Sequence, residues 1–360
     1  MPTIYFRTDA NEEIATGHIM RCLSIARACT TMRAKACFLV SDETSVSLLQ
    51  ERFVRADEFT IRCLHSDYRN PETELTALRS AAMKSSLIFL DSYFITKSYL
   101  QELQKRYKVA YLDDMLAFDY QVGMIINYDI SKVPACYHKA ADVRIGAAYA
   151  PLRKQFRKTT YKVRPKVQNI LISTGGTDSY NIAGRLLRKI FTQDTASDSE
   201  AFKSKSLLYN DLTAYNYHVI TSRLNSHFQE LQELSHTYPA IHIHENIQDM
   251  VGFMRECDLG VSAGGTTLYE LCAVGVPSVS FSMADNQLLA VKTMSSEQVV
   301  PYAGDVRFTC ENTLNAILVF LSAASRSYEK RKQSSHCMRA FVDGKGSVRI
   351  ADALLRFAES

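Results

Sequence analysis

The chain has no tryptophan, no closely spaced pair of cysteines and no long apolar run, and each absence excludes something. Nine cysteines, an odd number, are scattered without a C-x-x-C. That usage argues against a disulfide framework or a zinc ribbon and fits a reducing cytoplasm. Cys22 and Cys272 fall inside apolar helical patterns and read as small buried hydrophobes. Nine histidines form no H-E-x-x-H or similar set. His242 and His244 alternate in a short strand with one polar face. Neither a metal nor a cofactor is expected. The most apolar stretch, Leu314 to Leu321, is too short to cross a bilayer, and the first residues lack a signal-peptide pattern. A cytoplasmic protein without an integral membrane segment is therefore expected. Lysine plus arginine total 42 against 38 aspartate plus glutamate, with no dense basic cluster, so nucleic acid is not an expected partner. The locally basic stretch from Arg153 to Arg164 reads as a solvated linker. Walker A, G-x-G-x-x-G and G-x-S-x-G patterns are all missing, which sets aside P-loop kinases, dinucleotide dehydrogenases and serine hydrolases of the α/β type.

What is present is ordinary globular material: 46% hydrophobic and 22% charged residues in 360, enough for about two domains. Strand-like runs at Ile4–Phe6, Ala36–Val40, Leu87–Asp91, Val109–Asp113 and Gly123–Asn127 alternate with helical patterns at His18–Thr31, Ser45–Arg52, Pro71–Lys84 and Lys97–Tyr107. After a basic, proline-marked break the alternation restarts. Strands are expected at Asn169–Ser173, Tyr217–Thr221, Ile241–His244, Leu259–Ser262 and Ser278–Phe281, with helices following each. Such alternation implies βαβ crossovers and parallel sheets covered on both faces. The expected organisation is a first α/β domain over 1–150, a linker over 151–167, a second α/β domain over 168–345 and a terminal helix over 346–360. Ligands of such folds sit at the carboxyl edges of the strands, here in a cleft expected between the domains.

Two groups of residues carry candidate chemistry. Near the amino end a strand closing on Arg7 and Asp9 is followed by Gly17-His18 and an amphipathic helix containing Arg21. His18 falls in the first helical turn, where unpaired backbone N–H groups favour negative charge and an uncharged imidazole able to accept a proton. Asp9 is the candidate to hold the ring in one tautomer, and Arg7 and Arg21 add positive charge for an anionic substrate. A plain structural role, capping a turn and packing, is the competing reading of His18. Further on, Gly175, Gly176 and Thr177 follow a strand and open a helix, as do Gly264, Gly265, Thr266 and Thr267. Paired glycines and hydroxyls at a helix start can cradle a diphosphate. Glu270, one turn in, can accept both hydrogen bonds of a ribose diol. Asp285, Asn286 and Gln287 open the next helix. Here too a bland reading stands: Thr267 to Glu270 also spells a capping box, and Asp285 to Gln287 a simple helix start. Asp91, Asp113 and Asp114 end successive strands and read either as sugar or metal contacts or as turn caps.

These residues resemble a known family. Arg7, Asp9, Gly17, His18 and Arg21 closely match the opening of the nucleotide-sugar hydrolases of pseudaminic-acid biosynthesis and the related spore-coat polysaccharide proteins (PseG/SpsG type). Gly146, Tyr149 to Arg153 and Phe156, and Gly175 to Asp178, look like mid-chain signatures of that family. Ser262 to Gln287 is similar to the donor-binding region of MurG-like glycosyltransferases. The resemblance implies a GT-B architecture of two Rossmann-like domains and metal-independent hydrolysis of a UDP-linked diacetamido-trideoxy sugar to UDP and free sugar. It places the catalytic histidine on His18, the ribose contact on Glu270 and the diphosphate loop on Gly264 to Thr267. A glycosyltransferase, a UDP-sugar 2-epimerase and a non-catalytic nucleotide-sugar-binding subunit remain alternatives on the same architecture. Oligomeric state is not legible in the sequence.

Overall fold

The computed structural model describes the whole chain except residues 12–13, 15–16, 56–57 and 193–209. It divides into two compact units, Met1–Arg157 with Gly344–Ser360, and Lys158–Asp343.

In the first unit the strands are β1 (Thr3–Arg7), β2 (Lys35–Val40), β3 (Thr60–Cys63), β4 (Leu87–Leu90), β5 (Lys108–Leu112), β6 (Met124–Asn127) and β7 (Asp142–Ile145). They form one sheet in the order β3-β2-β1-β4-β5-β6-β7, with every pairing parallel. Helices α1 (Gly17–Thr31), α2 (Glu43–Leu48), α3 (Leu75–Ala81) and α4 (Lys97–Gln104) are among its connections. Because helices cover both faces, the central strands read as unbroken apolar runs, as Leu87–Leu90 shows. Alternate side chains go to opposite cores. Phe6, Phe38, Phe89 and Leu112 pack with Ile19, Cys22, Leu23 and Ala26 of α1. Tyr5, Leu39, Ile88 and Tyr111 pack with Leu78 of α3 and Tyr99 and Leu103 of α4.

The second unit repeats the plan. Its strands are β8 (Asn169–Ser173), β9 (Asn216–Ile220), β10 (Ile241–His244), β11 (Leu259–Ala263), β12 (Ser278–Ser282) and β13 (Tyr302–Asp305). Their order is β10-β9-β8-β11-β12-β13, again parallel throughout. Helices α5 (Ile182–Phe191), α6 (Phe228–Thr237), α7 (Met250–Arg255), α8 (Thr266–Val274), α9 (Asp285–Ser296), α10 (Val306–Arg326) and α11 (Tyr328–Phe341) accompany it. Ile170, Ile172, Val219, Val261 and Phe281 form its core with Ile182, Leu186, Leu314 and Leu318. In both sheets the chain steps outward on one side of the first strand and then crosses to the other. This creates a switch point between β1 and β4 and another between β8 and β11, where α/β sheets open a crevice at their carboxyl ends.

Three strands are additions to the sequence reading: β3, β7 and β13. All are sheet edges, with partly exposed residues and polar side chains interrupting the apolar pattern. The helix expected at Ser45–Arg52 begins two residues earlier and continues as a π-helical turn over Leu49–Phe53, and the one expected at Pro71–Lys84 opens as a 3-10 turn over Pro71–Glu74.

The last helix, α12 (Gly346–Glu359), belongs to the first unit, where Ile350, Ala351 and Leu354 join the α1 core. Ser347 Oγ donates to the Leu152 carbonyl at 2.7 Å, and Lys108 Nζ donates to the Phe357 and Ala358 carbonyls at 3.1 Å. A Cβ on Gly346 would stand 2.0 Å from the Ala150 oxygen, so backbone meets backbone there. Gly346→Ala is expected to lower stability by about 1–3 kcal/mol, the usual penalty of overpacking, in urea unfolding of the full chain.

Candidate functional site

At the first switch point, α1 begins beside the carboxyl ends of β1 and β4. His18 and Arg21, one turn apart on α1, meet Asp91, which directly follows β4. His18 Nδ1 lies 2.5 Å from Asp91 Oδ1, Arg21 Nε donates to Asp91 Oδ2 at 2.5 Å, and Arg21 Nη2 donates to Asp91 Oδ1. Arg21 Nη1 reaches Asp114 at 2.6 Å and the Tyr128 hydroxyl at 3.1 Å, which lie just beyond β5 and β6. All three main partners are buried: His18 is 4% exposed, Arg21 7% and Asp91 1%. The Tyr93 ring, itself 45% exposed, stands edge-on to the imidazole with centroids 4.3 Å apart.

The geometry selects a tautomer. Arg21 Nη2 is also 3.0 Å from Nδ1, and Nδ1 cannot both accept from it and face a carboxylate. Since Asp91 is an acceptor and Nη2 already donates to it, the proton is assigned to Nδ1, leaving the lone pair on Nε2. Burial opposes ionisation of Asp91, yet Arg21 and His18 hold its carboxyl well below the usual range. Burial pushes Asp114 up, and the nearby Asp91 charge adds to this against the pull of Arg21.

Asp9, expected to orient His18, does not. It accepts from the Ser41 amide at 2.6 Å and the Ser41 hydroxyl at 2.8 Å, and pairs with Arg7. Arg7 is likewise no anion receptor: Glu74 holds its Nε at 2.8 Å and its Nη2 at 2.6 Å, and Tyr99 donates to the same carboxylate. Arg21, expected to offer charge to a substrate, is engaged by Asp91 and Asp114. Asp91 was visible as a strand-end acid, but only the β1–β4 pairing brings it to a histidine 73 residues away. Asp113 is a turn cap, accepting from the Met115 amide at 2.9 Å and the Tyr120 and Tyr137 hydroxyls at 2.9 and 2.5 Å. Gly17 is exposed at the start of α1.

In the second unit the two glycine pairs follow β8 and β11, on either side of the switch point. They differ in character. Gly175 has φ +89°, Gly176 and Thr177 are exposed, and the start of α5 is already capped by Asp178, which accepts from the Ile182 and Ala183 amides at 2.9 and 3.0 Å. The anion expected at that helix start is thus the protein's own. The start of α8 has Gly265 as its N-cap, which offers no side chain, and Thr267 lies inside the helix rather than at the cap position that a capping box with Glu270 requires. A Cβ on Gly265 would meet nothing within 4 Å, whereas one on Gly264 would strike Val291 at 2.4 Å. Gly264 therefore serves close packing, and Gly265 leaves open space at the helix start. Thr266 is exposed, Thr267 half-buried and Glu270 buried on α8. On α9, Asp285 is exposed and pairs with Arg307 at 2.6 Å, Asn286 is exposed, and Gln287 Oε1 accepts from the Met283 amide at 3.0 Å.

Two parallel α/β units, each with its strand order reversing beside the candidate residues, define a GT-B-type fold. The chain aligns with Acinetobacter baumannii MurG over 99% of its own length and 100% of MurG, with a TM-score of 0.64 and 11% identity. It aligns similarly with the spinosyn rhamnosyltransferase SpnG complexed with thymidine diphosphate, over 98% and 100% of the two chains, with a TM-score of 0.61 and 12% identity. In sequence it is similar to the spore coat polysaccharide biosynthesis protein SpsG of Bacillus subtilis (strain 168), 24% identical over 264 residues that span 70% of this chain and 72% of SpsG. An uncharacterized protein of Methanocaldococcus jannaschii is 22% identical over 289 residues, 76% of this chain and 54% of that protein. No family model matches the chain. Among the described residues no helix is long and apolar enough to cross a membrane.

The Asp91 charge has a definite pH signature. A free aspartate takes up a proton near pH ~3.9, while the folded one stays ionised further into acid. Its stabilisation is complete above about pH 4 and is lost as the pH falls below that. Asp91→Asn, which strands much of the Arg21 charge, is expected to cost about 3–5 kcal/mol at neutral pH. Urea unfolding at pH 7 and at about pH 3 should show the gap to wild type narrowing in acid.

Proposed function

We propose that the chain is a nucleotide-sugar enzyme that cleaves the bond between UDP and a diacetamido-trideoxy sugar, transferring the sugar to water. The product would serve pseudaminic-acid-like nonulosonate or surface polysaccharide biosynthesis. The observation that carries this reading is the 2.5 Å contact of His18 Nδ1 with Asp91 Oδ1, which fits an Nδ1–H tautomer with Nε2 as the proton acceptor. In this scheme Nε2 takes a proton from water as its oxygen bonds to the anomeric carbon. The anomeric C–O bond breaks with its electron pair leaving on UDP. Asp91 steadies the imidazolium that results, and Arg21 keeps Asp91 ionised. Residues 264–267 receive the diphosphate at the glycine-capped start of α8, where helix amides stabilise the developing charge. Glu270 holds the ribose, and Gly175 to Thr177 border the same crevice. The name of the spore-coat relative and the thymidine diphosphate of SpnG, a protein of the same fold, support a nucleotide-sugar substrate.

A second reading has specific support. Several proteins of this fold are named glycosyltransferases, CalG4 among them, with a TM-score of 0.64 and 11% identity. In a transferase the same Nε2 would accept the proton of a sugar or lipid hydroxyl. Reaction in isotopically labelled water separates the two: label in the free sugar, with UDP released and no acceptor added, marks a hydrolase. UDP release that requires an added hydroxyl acceptor would reverse the assignment.

General-base assistance is worth roughly 10²–10⁴-fold. His18→Ala is expected to slow UDP release by about that factor while UDP still binds, as followed by NMR over a panel of UDP-diacetamido sugars. Glu270→Ala should act the other way, weakening UDP binding by about tenfold or more in calorimetry, the scale of a lost charged hydrogen bond.

A further inference from the structure

Three ligand-type side chains converge at the carboxyl end of β3, and none takes part in the reaction above. Cys63 Sγ lies 3.4 Å from His65 Nδ1, and that nitrogen is 3.8 Å from Glu43 Oε1. Among the described residues, this is the single group in which three histidine, cysteine, aspartate or glutamate ligand atoms all lie within 4.8 Å of one another.

The backbone holds the group in place. Cys63 ends β3 and His65 follows two residues on, with the Leu64 side chain between them buried in the core. Parallel pairing continues past the strand end, with the Leu64 amide bonded to the Val40 carbonyl and the Ser66 amide to the Ser41 carbonyl. His65 has φ +48°, a left-handed conformation that is uncommon outside glycine and turns its ring back toward Cys63. Glu43 is the first residue of α2, fixed by its neighbour Asp42, whose carboxylate caps that helix by accepting from the Ser45 amide at 2.7 Å.

The separations fit a tetrahedral cation. Zinc bonds of about 2.3 Å to sulfur and about 2.0–2.2 Å to nitrogen or oxygen, at tetrahedral angles, place S and N about 3.6 Å apart and N and O about 3.4 Å apart. Both observed distances lie within a few tenths of an ångström of these. Thiolate, imidazole and carboxylate together suit zinc rather than magnesium or calcium, which take oxygen ligands.

We propose that Cys63, His65 and Glu43 form a binding site for one Zn²⁺ ion, with water in the fourth position. On binding, the Cys63 S–H bond breaks, its proton goes to solvent and the sulfur lone pair bonds the metal. No electron is transferred. Because the thiol gives up its proton to bind, uptake is coupled to proton release and strengthens as pH rises. His65 and Glu43 are exposed, so the ion has an open approach. Bound there, it ties the edge strand β3 to the start of α2. The site is independent of the His18 reading, and the failure of either leaves the other standing.

The test uses the full chain, stripped with a chelator and then titrated with Zn²⁺ and, as a spectroscopic substitute, Co²⁺. The expected result is one equivalent bound, a thiolate-to-cobalt charge-transfer band, and a rise in thermal midpoint with Zn²⁺. Cys63→Ser should abolish the band and the rise. Glu43→Gln, at an exposed position that does not endanger folding, should weaken Zn²⁺ binding by at least the roughly 10–100-fold that loss of an outer-shell partner costs. Unfolding curves of the metal-free proteins confirm that each variant is folded. A cobalt spectrum without charge transfer, or one unchanged in Cys63→Ser, overturns the proposal.

Discussion

A guanidinium buried at the carboxyl edge of a parallel sheet has to be matched by negative charge, and the first unit is organised around that requirement. Arg21 projects from α1 into the ends of β4, β5 and β6, where Asp91, Asp114 and Tyr128 receive it. An isolated buried cation would cost several kcal/mol, so the acids are as necessary to the fold as to any chemistry. The same pairing keeps Asp91 ionised, and an ionised Asp91 is what gives His18 a defined tautomer. Stability and the orientation of His18 are therefore tied to one contact. Such a contact adds little net stability over a well-packed apolar one, whereas loss of either partner leaves a buried charge unmatched.

A second buried network lies alongside. Arg7, at the end of β1, is clamped between Asp9 and Glu74, and Asp9 in turn accepts from Ser41 after β2. The Asp91 amide donates to the Arg7 carbonyl at 3.0 Å, so the backbone carrying one network is hydrogen-bonded to the backbone carrying the other. Together they give the strand ends a rigid polar floor.

The second unit meets the same topological situation with different chemistry. At the β8–β11 switch point it places glycines and hydroxyls instead of acids and a histidine. One glycine pair leads to a helix start whose amides are taken by Asp178, and the other to a start whose N-cap, Gly265, has no side chain. That difference separates two motifs that look alike as strings. Gly264 also has a packing role against Val291 that spacing could not suggest.

Much was determined by local pattern. Apolar runs such as Asn169–Ser173 appear as strands with the expected bounds, because burial on both faces leaves little freedom of composition. His18 on the first turn of α1 follows from glycine and helical periodicity alone. The edge strands β3, β7 and β13 were hidden, since a single hydrogen-bonded neighbour permits polar residues and erases the pattern. Partner choice was hidden for a deeper reason. Asp9 and Asp91 are both acids at strand ends, and nothing local distinguishes them. Only the sheet order, which sets β4 beside β1 and β2 on the other side, gives Asp91 to His18 and Asp9 to Ser41. The sequence by itself determined which residue types could do chemistry and on which elements they sit. Tertiary structure decided which of them meet, because a contact between residues 18 and 91 is a property of strand adjacency and of no segment taken alone.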